Sequence, residues 1–158
     1  MRVLGIDPGF DRLGLAILEG DPSKPTLVWS TCVQPPKGEQ NERLACVFKA
    51  VSEALAEYSP DLLALETLFF STNKKTAISV AEARGAILAA AGTHGILVKE
   101  IAPGQVKLAV TGYGASDKRA VALMIPKLVS LPEKKRLDDE LDAIAVGIAA
   151  LSNRYPQG

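Results

Sequence analysis

A chain of 158 residues with 47% hydrophobic content is long enough for one domain, 1–158, that buries roughly 70% of its extended-chain surface. Its 18 basic and 18 acidic residues cancel, so bulk charge gives no argument for a nucleic-acid partner. The N-terminus meets a carboxylate at Asp7 too soon for a secretory apolar segment, and no apolar run nears the ~18 residues of a membrane span. A cytoplasmic protein with no membrane contact is expected. Cys32 and Cys46 carry no metal-ligand spacing and are expected to be buried free thiols in a reducing compartment.

The run Val3-Leu4-Gly5-Ile6 ends in Asp7 and then a Pro-Gly turn, which predicts a buried strand delivering one acid to the edge of a sheet. Open α/β sheets place ligands at such carboxyl ends, although an Asp before Pro-Gly can also simply cap a turn. Leu13 to Leu18 follows too closely for a helical crossover and should return antiparallel. A turn around Gly20 to Pro25 leads to a third strand, Thr26 to Val33, completing a meander. From Glu39 to Tyr58 the residues Leu44, Val47, Phe48, Val51 and Leu55 recur at helical steps, an amphipathic helix stopped by Ser59-Pro60.

Asp61 to Glu66 repeats the opening device, a short apolar strand ended by a carboxylate. The single helix between them makes this strand parallel to the first. If the two are neighbours, about 4.8 Å apart, Asp7 and Glu66 emerge side by side. Acids so placed repel unless they share a proton or a cation, a poor core and a good metal site. Phe69 and Phe70 then precede the polar stretch Ser71 to Lys75. One aromatic there should anchor the loop, and an exposed one beside the basic pair can stack on a base at roughly 1 to 3 kcal/mol.

Thr76 to Ala91 predicts an alanine-rich helix suited to close packing against the sheet or another subunit. His94 reads as a surface turn residue. Gly95 to Ile101 predicts a fifth strand, and Pro103 to Val110 a helix with proline early, as helices prefer. Ser116-Asp117 caps another helix from Lys118 to about Ile125, where Pro126 ends or kinks it. The last helix, Asp138 to Ser152, begins with Asp138, Asp139, Glu140 and Asp142. The helix dipole is reason enough for the first two. It accounts poorly for Asp142, which enters a segment apolar nearly all round; a carboxylate there wants a cation. Either Asp138 or Asp139 shares a face with Asp142.

Charge is segregated in this half. Lys74-Lys75, Lys107, Lys118-Arg119 and Lys134-Lys135-Arg136 can form a basic surface around an acidic pit, with an ordinary mixed surface as the alternative.

The ordered set resembles the ribonuclease H-like superfamily and, more narrowly, the RuvC-type Holliday-junction resolvases. It runs from Val3 to about Ala150. The resemblance is carried by Gly5-Ile6-Asp7-Pro8-Gly9, Leu65-Glu66 with Phe69, Ala83-Arg84-Gly85, Gln105-Val106-Lys107, Gly112-Tyr113-Gly114, Lys118 and Asp139-Glu140-Leu141-Asp142-Ala143. It implies an α/β fold, a mixed five-stranded sheet with a three-strand antiparallel meander plus two parallel strands, flanked by helices. It also implies a homodimeric endodeoxyribonuclease that nicks two like-polarity strands of a four-way DNA junction in recombination and repair, with a branch-migration helicase complex as a possible partner. By position, Asp7, Glu66, Asp139 and Asp142 look like the catalytic, metal-binding carboxylates, with Asp138 a lesser candidate. Some members have histidine where Asp139 stands. Phe69, Lys107 and Lys118 look like the DNA-contacting residues.

Carboxylate oxygens suit Mg²⁺ or Mn²⁺, and two such ions can serve an in-line phosphodiester displacement without a histidine base. Three rivals stand beside this reading. One is the first phosphate loop of the actin, Hsp70 and sugar-kinase group, whose two-domain proteins exceed this chain in size. The others are a junction-binding module that does not cleave, and a related nuclease acting on RNA-DNA hybrid.

Overall fold

Five apolar runs pair into one sheet: β1 (Arg2–Asp7), β2 (Leu13–Asp21), β3 (Lys24–Val33), β4 (Leu62–Glu66) and β5 (Leu97–Ile101). The computed structural model describes residues 1–67 and 74–152, with 74 and 75 described in their backbone alone. Strand order is β3-β2-β1-β4-β5. The first three strands form an antiparallel meander, while β4 pairs parallel with both β1 and β5. The helices are α1 (Gln40–Tyr58), α2 (Lys74–Thr93), α3 (Pro103–Thr111), α4 (Lys118–Leu128) and α5 (Asp138–Ser152).

Strand periodicity divides the core into two layers. Leu4, Ile6, Leu13, Leu15, Ile17, Leu63 and Leu65 face α1 and α2, meeting Val47, Val51, Ile87 and Ala90. Val3, Ala16, Leu18, Leu62 and Ala64 face the other way, onto α5 with α3 and α4 behind it. Helix α5 is therefore covered on several sides, and every residue from Ala143 to Leu151 is buried, as its all-round apolarity predicted. The alanine-rich α2 packs inward through Ala83, Ile87, Ala90 and Ala91, leaving Ile78 and Leu88 exposed.

Two glycines set how closely α5 lies on the sheet. A Cβ on Gly5 would stand 2.6 Å from the Gly147 nitrogen and 2.9 Å from its Cα, and one on Gly14 only 2.6 Å from the Asp139 carbonyl carbon. All of these are backbone atoms, which cannot rotate aside. We expect Gly5→Ala to destabilise the fold by about 3 kcal/mol and to lower DNA cutting, because α5 must lift from the ends of β1 and β2. Urea unfolding and a cleavage assay on the same sample would check both.

Three local expectations are corrected. The β2–β3 turn closes tightly on Pro22-Ser23, because the Asp21 carboxylate accepts from the Ser23 backbone N–H at 2.8 Å and the strands pair up to Asp21 and Lys24; this side-chain mimic of a turn replaces the longer loop. Pro126 does not end α4, which runs to Leu128 and closes with Val129 N–H donating to the Ile125 carbonyl at 3.0 Å. The two thiols are free but half-buried, since Cys32 lies on an edge strand and Cys46 beside, not within, the buried stripe of α1. Among the described residues no helix is long and apolar enough to cross a membrane.

Candidate active site

The parallel register aligns Ile6 with Leu65, so Asp7 and Glu66 leave adjacent strands at the same sheet end. Glu66 is held by its backbone. Thr67 N–H donates to the Ile101 carbonyl at 2.8 Å, and Arg84 Nη1 donates to the Glu66 carbonyl at 3.1 Å while its other nitrogen pairs with Glu100. Sequence reasoning noted Arg84 only as part of a motif; its job here is to tie α2, β4 and β5 together beneath an acid.

The third acid-bearing element is the first turn of α5, brought over the β1 and β2 ends by the close approach at Gly5 and Gly14. Its four acids divide. Asp138 is exposed. Glu140 turns inward and is buried, accepting from Ser30 Oγ at 2.6 Å and pairing with Lys134 at 2.7 Å and Arg136 at 3.3 Å. Lys134 also donates to the Ser30 carbonyl at 2.8 Å. Glu140 is thus an anchor for the helix start and is not one of the acids facing Asp7. The only sequence signal for it was the helical spacing to Arg136, because Ser30 lies 110 positions away.

Asp139 and Asp142 share a field with Asp7 and Glu66. Burial first, then the charges of Asp142, Asp139 and Glu66, together push Asp7 up to about 7, against a smaller lowering by Lys118. Burial and the Asp142 charge also raise Glu66, against Lys107 and Lys118. Asp142 is raised by burial and by Asp139 and Asp138, opposed by the hydrogen bond and charge of Lys118. Lys118 Nζ lies 2.7 Å from Asp142 Oδ2, and that bond holds the ammonium above its ordinary range. Acids that raise one another across three elements are close enough to compete for the same positive charge.

A cleft of about 340 Å³ opens beside them, with Glu66, Lys107, Lys118 and Asp142 among its lining. A smaller one of about 190 Å³ lies against Lys118, Arg119, Asp138 and Asp142. Asp138 therefore stands on the outer flank of Asp142, while Asp139 faces Arg12, 3.6 Å away. Among the described residues, no three acidic, histidine or cysteine side chains converge tightly enough as they stand to hold an ion; Lys118 and Arg12 engage two of the four acids. The donor chemistry nonetheless fits a divalent cation, because the groups are all carboxylate oxygens and more negative than their lysines can balance. His94 sits exposed in the turn after α2, away from these groups. Phe69 lies outside the described residues, as do the side chains of Lys74 and Lys75.

A family model described as "Crossover junction endodeoxyribonuclease RuvC" matches residues 3–150. The protein of that name from Syntrophomonas wolfei subsp. wolfei is 41% identical over 152 residues, covering 96% of this chain and 88% of the relative. The solved structure of Thermus thermophilus RuvC is 35% identical with a TM-score of 0.85, covering 96% of this chain and 94% of the other. T. thermophilus RuvC in complex with Holliday junction substrate matches at 34% identity and a TM-score of 0.88, over 94% and 92%. The mixed five-stranded sheet with its flanking helices is the ribonuclease H-like fold of those structures. On the family match and on identity near 40% across almost its whole length, this chain belongs to the RuvC family of crossover junction endodeoxyribonucleases.

Proposed function

We propose that this chain is a divalent-metal-dependent endodeoxyribonuclease that resolves four-way DNA junctions, acting as one nuclease domain over residues 1–158. The observation that carries the reading is the convergence of Asp7, Glu66, Asp139 and Asp142 from β1, β4 and α5 into one mutually repelling group, beside a cleft lined by Lys107 and Lys118. A protein that needed only to bind DNA would gain nothing from four acids under the phosphates. The relative from T. thermophilus solved with a Holliday junction substrate supports the substrate class.

In this reading the four carboxylates hold Mg²⁺ or Mn²⁺, two ions per site. Bound there, such ions supply Lewis-acid stabilisation of the phosphate and a water nucleophile active at neutral pH. Asp7 would be one of the ligands, since it stands between the Glu66 strand and the α5 turn. Lys107 and Lys118 contact phosphates flanking the scissile one, which makes affinity salt-dependent. Phe69 stacks on a base near the junction centre. A homodimer with two-fold symmetry would cut two like-polarity strands symmetrically, and the exposed Ile78 and Leu88 of α2 are a fitting dimer face. A branch-migration helicase complex is the proposed cellular partner, in the cytoplasm.

The test is cleavage of a synthetic four-way junction, a plain duplex and an RNA-DNA hybrid, with Mg²⁺ and Mn²⁺ titrated separately. Junction-selective nicking that stops in chelator is the expected result. Preference for the hybrid would replace the substrate class, and tight junction binding with no nicking under either ion would make this a binding module. In the same assay, Asp139→Ala should cost more than the roughly 10- to 100-fold typical of losing a supporting group, and Asp138→Ala less than about 10-fold. The reverse order would move the metal ligand to Asp138.

A further inference from the structure

We propose that Arg12 forms a phosphate-binding position of the substrate site on the β2 side of Asp7, across the acids from Lys107. The inference rests on the proposed function and adds a residue to it. Sheet order places β2 on one flank of β1 and β4 on the other. Lys107 acts on Glu66, at the end of β4. Arg12, the last residue before β2, stands at the opposite flank with Nη1 3.6 Å from Asp139 Oδ2 and a side chain 52% exposed.

That separation distinguishes the two cations that pair with these acids. Lys118, at 2.7 Å, is hydrogen-bonded to Asp142. Arg12 at 3.6 Å is within ionic range of Asp139 but beyond hydrogen-bond length, so its planar fork keeps donors for another anion. Guanidinium geometry matches a phosphate in two parallel hydrogen bonds. An exposed pair this loose contributes little to stability, so stability does not account for how firmly the turn beneath it is built.

The turn is fixed from two directions. Gly9 has no side chain where the Arg12 carbonyl folds back; a Cβ there would clash with the Arg12 oxygen and lie 3.2 Å from its carbonyl carbon. From α1, Arg43 donates to Asp11 Oδ1 at 2.6 Å and to the Phe10 carbonyl at 3.3 Å. Its guanidinium lies 3.9 Å over the Phe10 ring, and its own side chain is only 14% exposed. One mostly buried arginine thus holds a surface turn whose product is the placement of a second, half-exposed arginine beside a catalytic acid. Such a placement lowers the ordering cost of engaging a phosphate.

The experiment measures binding of a fluorescent four-way junction and of duplex across a salt series, in Mg²⁺, with Asp7→Asn as the parent so that no strand is cut. Arg12→Gln should reduce the salt slope by about 0.9 and weaken junction binding roughly ten-fold at ~0.1 M salt. Arg12→Lys should keep the slope and recover part of the affinity. Arg43→Met, which loosens the turn but spares Arg12, should weaken binding with the slope retained. Thermal unfolding of each variant identifies any loss that is only misfolding, in which case the Lys and Met variants decide. An unchanged slope and affinity in Arg12→Gln would mean that Arg12 serves Asp139 alone and would overturn the inference. A parent with no preference for the junction over duplex would overturn the proposed function, and this inference with it.

Discussion

Asp7→Asn is expected to abolish junction cutting, by on the order of 10⁴-fold, while leaving junction binding largely intact. The substitution keeps the shape of the side chain and removes the charge that stands among Asp142, Asp139 and Glu66. DNA affinity in this reading comes from Lys107, Lys118 and the phosphate backbone, so subtracting a negative charge beneath the DNA costs binding nothing and can strengthen it. Asp142→Asn should behave alike in cutting, with one difference: it removes the carboxylate that Lys118 holds at 2.7 Å, so that lysine becomes free for phosphate and junction affinity should rise. Single-turnover cleavage and anisotropy on the same junction separate the two effects. Cutting at the parent rate by either variant would remove that residue from the site.

The second large effect is on stability and its pH dependence in the metal-free protein. Asp7 stands at about 7 in the folded chain against an ordinary value of 3.8, so between these values the folded state keeps a proton that the unfolded chain has released. Stability from this group is full below about pH 4, declines as pH rises, and is lost above about pH 7. At 1.36 kcal/mol per unit the decline is at most about 4 kcal/mol. Glu66 and Asp142, both raised, act in the same direction. In chelator, Asp7→Asn should therefore be more stable than the parent at pH 8, by a few kcal/mol, and nearly equal to it at pH 4. Added Mg²⁺ should raise the parent's melting temperature at pH 8 by ligand linkage and raise that of Asp7→Asn much less. Urea unfolding at the two pH values checks the first part; a variant no more stable than its parent at pH 8 would show that Asp7 is not held in a strained, charge-crowded site.

These two expectations describe one trade. The acids that would make the site reactive are the ones that destabilise the folded chain, and glycines at 5 and 14 are what bring the α5 acids down onto the others. An alanine at position 5 relieves the crowding by lifting the helix, and loses the chemistry with it.

What was legible in the sequence was local or followed from connection rules. Short apolar runs ended by a carboxylate, Val3 to Ile6 and Leu62 to Leu65, marked strands, the helical steps from Leu44 to Leu55 marked α1, and the one-helix crossover between the two strands made β1 and β4 parallel. Asp7 and Glu66 are paired for that reason by the sequence alone. The fate of the acids from 138 to 142 could not, because neighbours on a helix differ in direction by about 100° and only the docking of α5 at Gly5 and Gly14 sets which one faces Asp7. Glu140 goes inward to Ser30, 110 positions away; Arg84 reaches back to Glu66 and Arg12 forward to Asp139. Such pairings are made by long-range packing, and nothing local names Ser30, Glu66 or Asp139 as the partner. By itself the sequence determined which elements form, how the strands run and which carboxylates are available. The tertiary structure alone decided how those carboxylates divide between anchor, flank and centre, because backbone contacts at two glycines orient the helix that carries them.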